Sequence, residues 1–187
     1  MLDHNSLKKG TIFKYRNSPV LVIEFSHTHK GRGGATVTVK IKDLISNSVQ
    51  TATFKSGDKL EEADLNRRSA DYLYQKGDAV YFMDNETYEQ VILAKEKIKE
   101  QMNFLKEGDQ VTLVEFEGNP IGIDLPPKVE LKVVETEPGV RGNTASGTAF
   151  KPAVLESGFK VDVPLFVKQN DVVRINTETG EYVERVS

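Results

Sequence analysis

The sequence predicts a mainly β protein assembled from small barrels, and three observations carry that prediction. Short apolar or alternating segments recur along the whole chain, turn-forming clusters such as EGNP (117–120), TEPG (136–139) and TETG (177–180) separate them, and a single segment has helical character. With 187 residues, 38% hydrophobic and 28% charged, the chain has the composition of a folded globular protein and the length for two or three small domains with their own cores.

Taken in order, PVLVIEF (19–25) is an apolar run, and ATVTVKIK (35–42) alternates so that Val37, Val39 and Ile41 share a face. The two are predicted to pair as a hairpin, leaving SHTHKGRGG (26–34) as the loop. Further strands are predicted over 50–54, 79–83, 110–116, 121–125, 129–134, 159–163, 171–175 and 181–186. Between Glu89 and Leu105, the residues Ile92, Ile98, Met102 and Leu105 stand apolar among Lys and Glu. That pattern predicts a partly amphipathic helix with Lys95, Lys97 and Lys99 on a solvated face. Boundaries are expected at the charged stretch KLEEADLNRR (59–68) and at DLPPK (124–128), where two prolines interrupt pairing. Three domains follow: 1–64, 65–128 and 129–187.

The net charge of −3 hides an asymmetry. Residues 1–64 carry 10 Lys+Arg against 7 Asp+Glu, residues 65–128 carry 8 against 12, and residues 129–187 carry 7 against 9. A polyanionic partner should therefore meet the first third. No apolar run reaches the roughly 20 residues of a membrane span, and the first residues lack the apolar stretch of a signal peptide. These features predict a cytoplasmic protein that does not contact membrane.

Absence of cysteine removes disulfides, thiolate nucleophiles and Cys-based zinc sites. The histidines are His4, His27 and His29. The i, i+2 pair in the loop has no carboxylate beside it in sequence, so no metal site is expected. GRGG lacks the GxxxxGK[ST] pattern and does not open a helix, which argues against a nucleotide site. No residues form a recognisable catalytic constellation, and the protein is read as non-enzymatic. The loop can be a plain surface connection. Alternatively it is a binding device in which His29, Lys30 and Arg32, interleaved with Gly31, Gly33 and Gly34, meet RNA: the glycines allow close approach, and a guanidinium can fork onto phosphate or stack on a base.

Several segments in the expected order resemble the bacterial translation elongation factor P family. The most specific is KPAVLESGFKVDVP (151–164), similar to the family's C-terminal signature, although Gln169 and Asn170 stand where that signature ends with an aliphatic residue and a glycine. FMDNETYEQ (82–90), PPKVELKVVETEPGVRGNTA (126–145), VPLFV (163–167) and TGEYVERV (179–186) look like its other blocks. The resemblance spans nearly the whole chain. It implies an L-shaped monomer with an N-terminal SH3-like, KOW-type barrel and two OB-folds. Such a factor binds the 70S ribosome between the P and E sites beside peptidyl-tRNA and relieves stalling at consecutive prolines.

By the same resemblance the first hairpin loop approaches the tRNA acceptor end, with Arg32 at the tip and His29, Lys30, Gly31, Gly33 and Gly34 in support. Many members carry a modified lysine at that tip; a subset carries arginine and rhamnosylates it. Rhamnosyl-Arg32, made by an arginine rhamnosyltransferase, is therefore expected, with unmodified arginine as the alternative. The family's Gly-Asp-Thr motif, which faces the mRNA codon in the E site, reads here Gly142-Asn143-Thr144. Tyr182 and Arg185 are candidates for tRNA or small-subunit contact, or else ordinary strand residues. The residues leave open an elongation factor P-like paralogue and a non-ribosomal RNA-binding OB-fold protein.

Overall fold

A computed structural model describes residues 2–3, 6–28, 36–55, 57–138 and 150–186. Its strands form three sheets, in keeping with the predicted fold class. The first contains β1 (Leu2–Asp3), β2 (Ile12–Tyr15), β3 (Ser18–Thr28), β4 (Thr36–Asp43), β5 (Val49–Lys55) and β6 (Lys59–Glu62), in the order β1-β6-β2-β3-β4-β5. Alternation places Val37, Val39 and Ile41 of β4 inward, where they meet Phe13, Val20 and Phe54. Phe13 stands edge-on to Phe54 at 5.6 Å and to Tyr15 at 6.3 Å, the geometry that ring quadrupoles favour.

The second sheet comprises β7 (Leu65–Lys76), β8 (Ala79–Asp84), β9 (Gln90–Ala94), β10 (Gln110–Phe116) and β11 (Asn119–Asp124), ordered β11-β10-β7-β8-β9. The third comprises β12 (Lys128–Thr136), β13 (Phe150–Leu155), β14 (Lys160–Pro164), β15 (Val172–Asn176) and β16 (Tyr182–Arg185), ordered β14-β13-β12-β15-β16. The predicted EGNP turn is a two-residue connection between β10 and β11. Glu117 (φ 50°) and Gly118 (φ 78°) both occupy the left-handed region, which matches the twist of the strands they join.

The predicted helix over 89–105 is absent. Residues 90–94 pair as β9 with β8, Tyr81 opposite Ile92 and Val80 opposite Leu93, and only two short 3₁₀ turns follow, Lys95–Ile98 and Gln101–Phe104. The apolar residues of this segment do not share one face. Ile98 enters the core with Phe82 and Leu113, whereas Phe104 joins a separate core with Leu131 and Leu155 and packs on Phe159 at 5.0 Å. A continuous helix would turn these side chains along one stripe, and two cores at different positions need them apart.

Besides β9, where the sequence predicts helix, strands β1, β2, β6, β7 and β13 escape the sequence reading. The charged stretch taken as a boundary is itself strand: β6 ends at Glu62 and β7 starts at Leu65. In β7 Arg67 and Asn66 are exposed while Ala70 and Tyr72 are buried, so the outward half hides the alternation.

The chain divides into two compact units, one of residues 1–67 with 114–122, the other of residues 68–113 with 123–187. In the first unit Val114, Phe116 and Ile121 pack with Leu44, Ile45 and Leu65. Glu115, between them in sequence, is buried and accepts a hydrogen bond from Asn66 Nδ2 at 3.3 Å.

In the second unit the turn after β8 is built on an ion pair whose carboxylate is buried. Asp84 is fully buried and lies 2.7 Å from Arg68 Nη1. Its carboxylate also accepts the backbone N–H groups of Glu86 at 2.8 Å and Thr87 at 3.0 Å. The Thr87 N–H is the main influence holding its pKa below the ordinary 3.8; burial opposes it, and the Glu86 N–H and the Arg68 charge reinforce it.

Phe13→Ala, which removes a wholly buried ring, is expected to lower unfolding stability by about 4 kcal/mol in urea titration, with Phe13→Leu losing much less. Asp84→Asn is expected to cost about 3 kcal/mol at neutral pH by removing the charge of the fully buried carboxylate that pairs with the partly exposed Arg68. Because the folded-state pKa of Asp84 is depressed, its contribution is complete above 3.8 and is lost as pH falls through the lower folded value. The variant's stability should therefore decline less steeply than the wild type's below about pH 4 in denaturant titrations across pH.

Candidate nucleic-acid interface

The hairpin predicted from the first two apolar segments is present, and its strands run further than expected. Ser26, His27 and Thr28 pair with Thr38, Val37 and Thr36, so the expected nine-residue loop has its first three residues in the ladder. A register shift between Val22 and Glu24 marks a bulge partway along β3, a feature that increases local twist. β4 is paired on its other side with β5 over all but its last residue, from Thr36 opposite Lys55 to Lys42 opposite Val49. The stem is therefore three-stranded up to the residues that carry the connection, and its two ends are held at strand spacing. Thr38 and Thr53 link Oγ1 to Oγ1 at 3.2 Å across β4 and β5, and Lys40 Nζ bonds Glu24 Oε1 at 3.2 Å. Arg32, His29, Lys30, Gly31, Gly33 and Gly34 lie outside the described residues, as do Gly142, Asn143 and Thr144.

Tyr182 and Arg185 both lie on β16, the edge strand of the third sheet. The guanidinium of Arg185 stands over the Phe166 ring, 5.4 Å from its centroid, and its Nη1 lies 3.4 Å from Asp171 Oδ2. The same Asp171 oxygen accepts the Lys168 N–H at 2.9 Å, so the carboxylate both closes a turn and orients the arginine. Burial pushes the Tyr182 phenol above its ordinary pKa, with the Arg185 N–H and charge pulling the other way. Phe166 is 56% exposed, and the sequence reading did not single it out. Its signal was a large aromatic in a short strand-and-turn segment, which by itself reads as core. Arg174, on β15 beside that edge strand, is instead taken up by Glu130 at 2.6 Å and by Glu184. Lys151 is likewise structural: buried, its Nζ donates to the Glu137 carbonyl at 2.6 Å.

Similarity to known proteins covers every part of this architecture. "Elongation factor P (EF-P) KOW-like domain" matches residues 3–60, "Elongation factor P (EF-P) OB domain" residues 65–123, and "Elongation factor P, C-terminal" residues 129–185. The elongation factor P of Dictyoglomus thermophilum is 45% identical over 185 residues, spanning 99% of this chain and 100% of the relative. That of Aquifex aeolicus is 43% identical over 185 residues, spanning 99% and 96%.

The chain belongs to the elongation factor P family.

It is thus a translation elongation factor with KOW-like and OB domains. Among solved structures, eukaryotic translation initiation factor 5A from Methanococcus jannaschii shares 26% identity with a TM-score of 0.55, over 64% of this chain and 88% of that one. Among the described residues, no helix is long and apolar enough to cross a membrane.

One further feature of this elongation factor P relative lies in the turn after β8. Tyr88 adopts φ 57° and is 78% exposed. Most other turns that need a left-handed residue use glycine or asparagine, among them Gly77, Asn47 and Asn170. For a bulky side chain that conformation costs about 1 kcal/mol relative to glycine, and so exposed a ring gains little packing in return. The turn holds it there through Tyr88 N–H to the Asp84 carbonyl at 2.9 Å, and through Asn85, whose N–H meets the Ser69 carbonyl and whose Nδ2 meets Asp71 Oδ1 at 3.1 Å.

Proposed function

We propose that this factor binds the 70S ribosome between the P and E sites, beside peptidyl-tRNA, and stimulates peptide-bond formation where consecutive prolines stall it. What carries the reading is the β3–β4 hairpin. It is an eleven-residue strand and its partner, backed by β5, and the segment joining them, 29–35, contains His29, Lys30 and Arg32 among Gly31, Gly33 and Gly34. Full-length similarity to elongation factor P relatives supports the same reading.

The proposed action is positional, with no bond made or broken by the factor's own side chains. Proline is a restricted and poor participant in peptide transfer. Holding the tRNA end in a reactive geometry removes part of an entropic barrier, and each ~1.4 kcal/mol of improved positioning gives about tenfold in rate. Arg32 contacts the tRNA acceptor end, carrying a rhamnosyl group added by an arginine rhamnosyltransferase, while His29 and Lys30 add phosphate contacts. Gly142-Asn143-Thr144 meets the mRNA codon in the E site; asparagine keeps the size of the family's aspartate, gains a donor and loses the charge. Tyr182 and Arg185 contact tRNA or the small subunit, the guanidinium being presented on Phe166. Cationic charge concentrated at one end of the sequence favours oriented capture by RNA over indiscriminate sticking.

Translation of a Pro-Pro-Pro reporter on ribosomes free of any such factor tests the reading. Wild-type protein is expected to restore full-length product, and Arg32→Ala to lose most of that rescue; no rescue by protein from the native host rejects it. Intact mass of that native protein is expected to exceed the sequence mass by one deoxyhexose, and a mass equal to the bare chain rejects rhamnosylation.

A further inference from the structure

We infer that the turn bearing Tyr88 is a docking point for a basic protein surface on the ribosome, with the tyrosine ring as its anchor. The inference rests on the ribosome-binding reading above and assigns a contact distinct from the hairpin tip and from Tyr182 and Arg185. It begins from an uncompensated strain. A bulky residue in the left-handed region would be replaced by glycine if folding alone mattered, and neighbouring turns do use glycine there. The ring, 78% exposed, is repaid by little packing within the chain. Yet the surrounding structure is heavily committed to keeping it in place: the fully buried Asp84 carboxylate receives Arg68 and the N–H groups of Glu86 and Thr87, and Asn85 is tied to Ser69 and Asp71. A rigid turn that presents a tyrosine to solvent has the properties of an interface anchor, since a two-torsion aromatic contributes large contact area at low ordering cost.

The charge around the ring selects the partner. Glu86 and Glu89 lie two residues before and one after Tyr88 and are both exposed, while Arg68 of β7, which reaches the turn, is paired with Asp84. Two exposed carboxylates within two residues of Tyr88 in the same turn repel a phosphate backbone, so RNA is a poor occupant. They complement a lysine- or arginine-rich surface, where a guanidinium can lie on the tyrosine face and meet a glutamate at its edge. The acidic excess in the second third of the chain, 8 basic against 12 acidic residues over 65–128, agrees with a basic partner there.

The test measures affinity of the full-length factor for 70S ribosomes carrying P-site tRNA, together with thermal stability. Tyr88→Gly and Tyr88→Asn, which both suit the left-handed backbone, are expected to leave Tm unchanged or raise it by about 2–4 °C. Both should weaken ribosome binding about tenfold. Glu86→Lys with Glu89→Lys is expected to weaken binding further at low salt, with the effect shrinking as salt rises. Tyr88 variants that bind like wild type overturn the inference, and glutamate reversals that tighten binding overturn the choice of a basic protein in favour of RNA. If wild-type protein itself fails to bind ribosomes, the reading under Proposed function falls and takes this inference with it. Wild-type binding with unaffected variants rejects the inference alone.

Discussion

The period-two alternation of short strands is the constraint on which this structure rests. A sheet of five or six strands offers a modest apolar face, and every strand must turn the right parity of side chains inward for that face to be continuous. β10 shows how tightly the constraint is used. Val111 and Leu113 lie in the core that contains Phe82, whereas Val114 and Phe116 lie in the cluster with Leu44 and Leu65. Its two faces are both spent on burial, which leaves a one-residue slip of this strand no tolerated alternative. The same logic disperses the segment that was expected to be helical, because Ile98 and Phe104 serve different cores.

Between strands, the recurring device is an aspartate that accepts backbone N–H groups within its own turn. Asp43 takes Ile45 and Ser46, Asp58 takes Lys55, Asp84 takes Glu86 and Thr87, Asp109 takes Lys106, and Asp171 takes Lys168. Part of the acidic excess is therefore structural, each carboxylate satisfying donors that a turn leaves unpaired. Asp84 and Asp171 go further. One fixes the backbone that displays Tyr88, and the other steers the guanidinium of Arg185 over Phe166. Turn closure and side-chain presentation are the same hydrogen bonds seen from two sides.

The function proposed for this chain relies on presentation on stiff supports rather than on an enclosed site. The hairpin stem is braced by a third strand, Arg185 is stacked and ion-paired, and the turn bearing Tyr88 is held by the buried Asp84. Charged groups that might have looked functional from sequence are accounted for structurally, Lys151 by the Glu137 carbonyl and Arg174 by two glutamates. Ordering each presented group before binding lowers the entropy lost on contact, which is how a small factor can act through a few side chains.

The sequence by itself determined the fold class, the first hairpin, most strand positions, the concentration of cations in the first third and membership of the family. These depend on alternation, turn residues and ordered motifs, which are local and survive in a linear reading. It did not show β6 and β7, whose exposed charges mask the buried positions, nor the break of the expected helix. Tertiary structure alone decided that Phe166 lies beneath Arg185, that Arg68 neutralises Asp84, and that Tyr88 rather than a glycine occupies a left-handed position. Each of these depends on which residues, distant in sequence or hidden in backbone torsion, share the same few ångströms, and no periodicity along one chain encodes that.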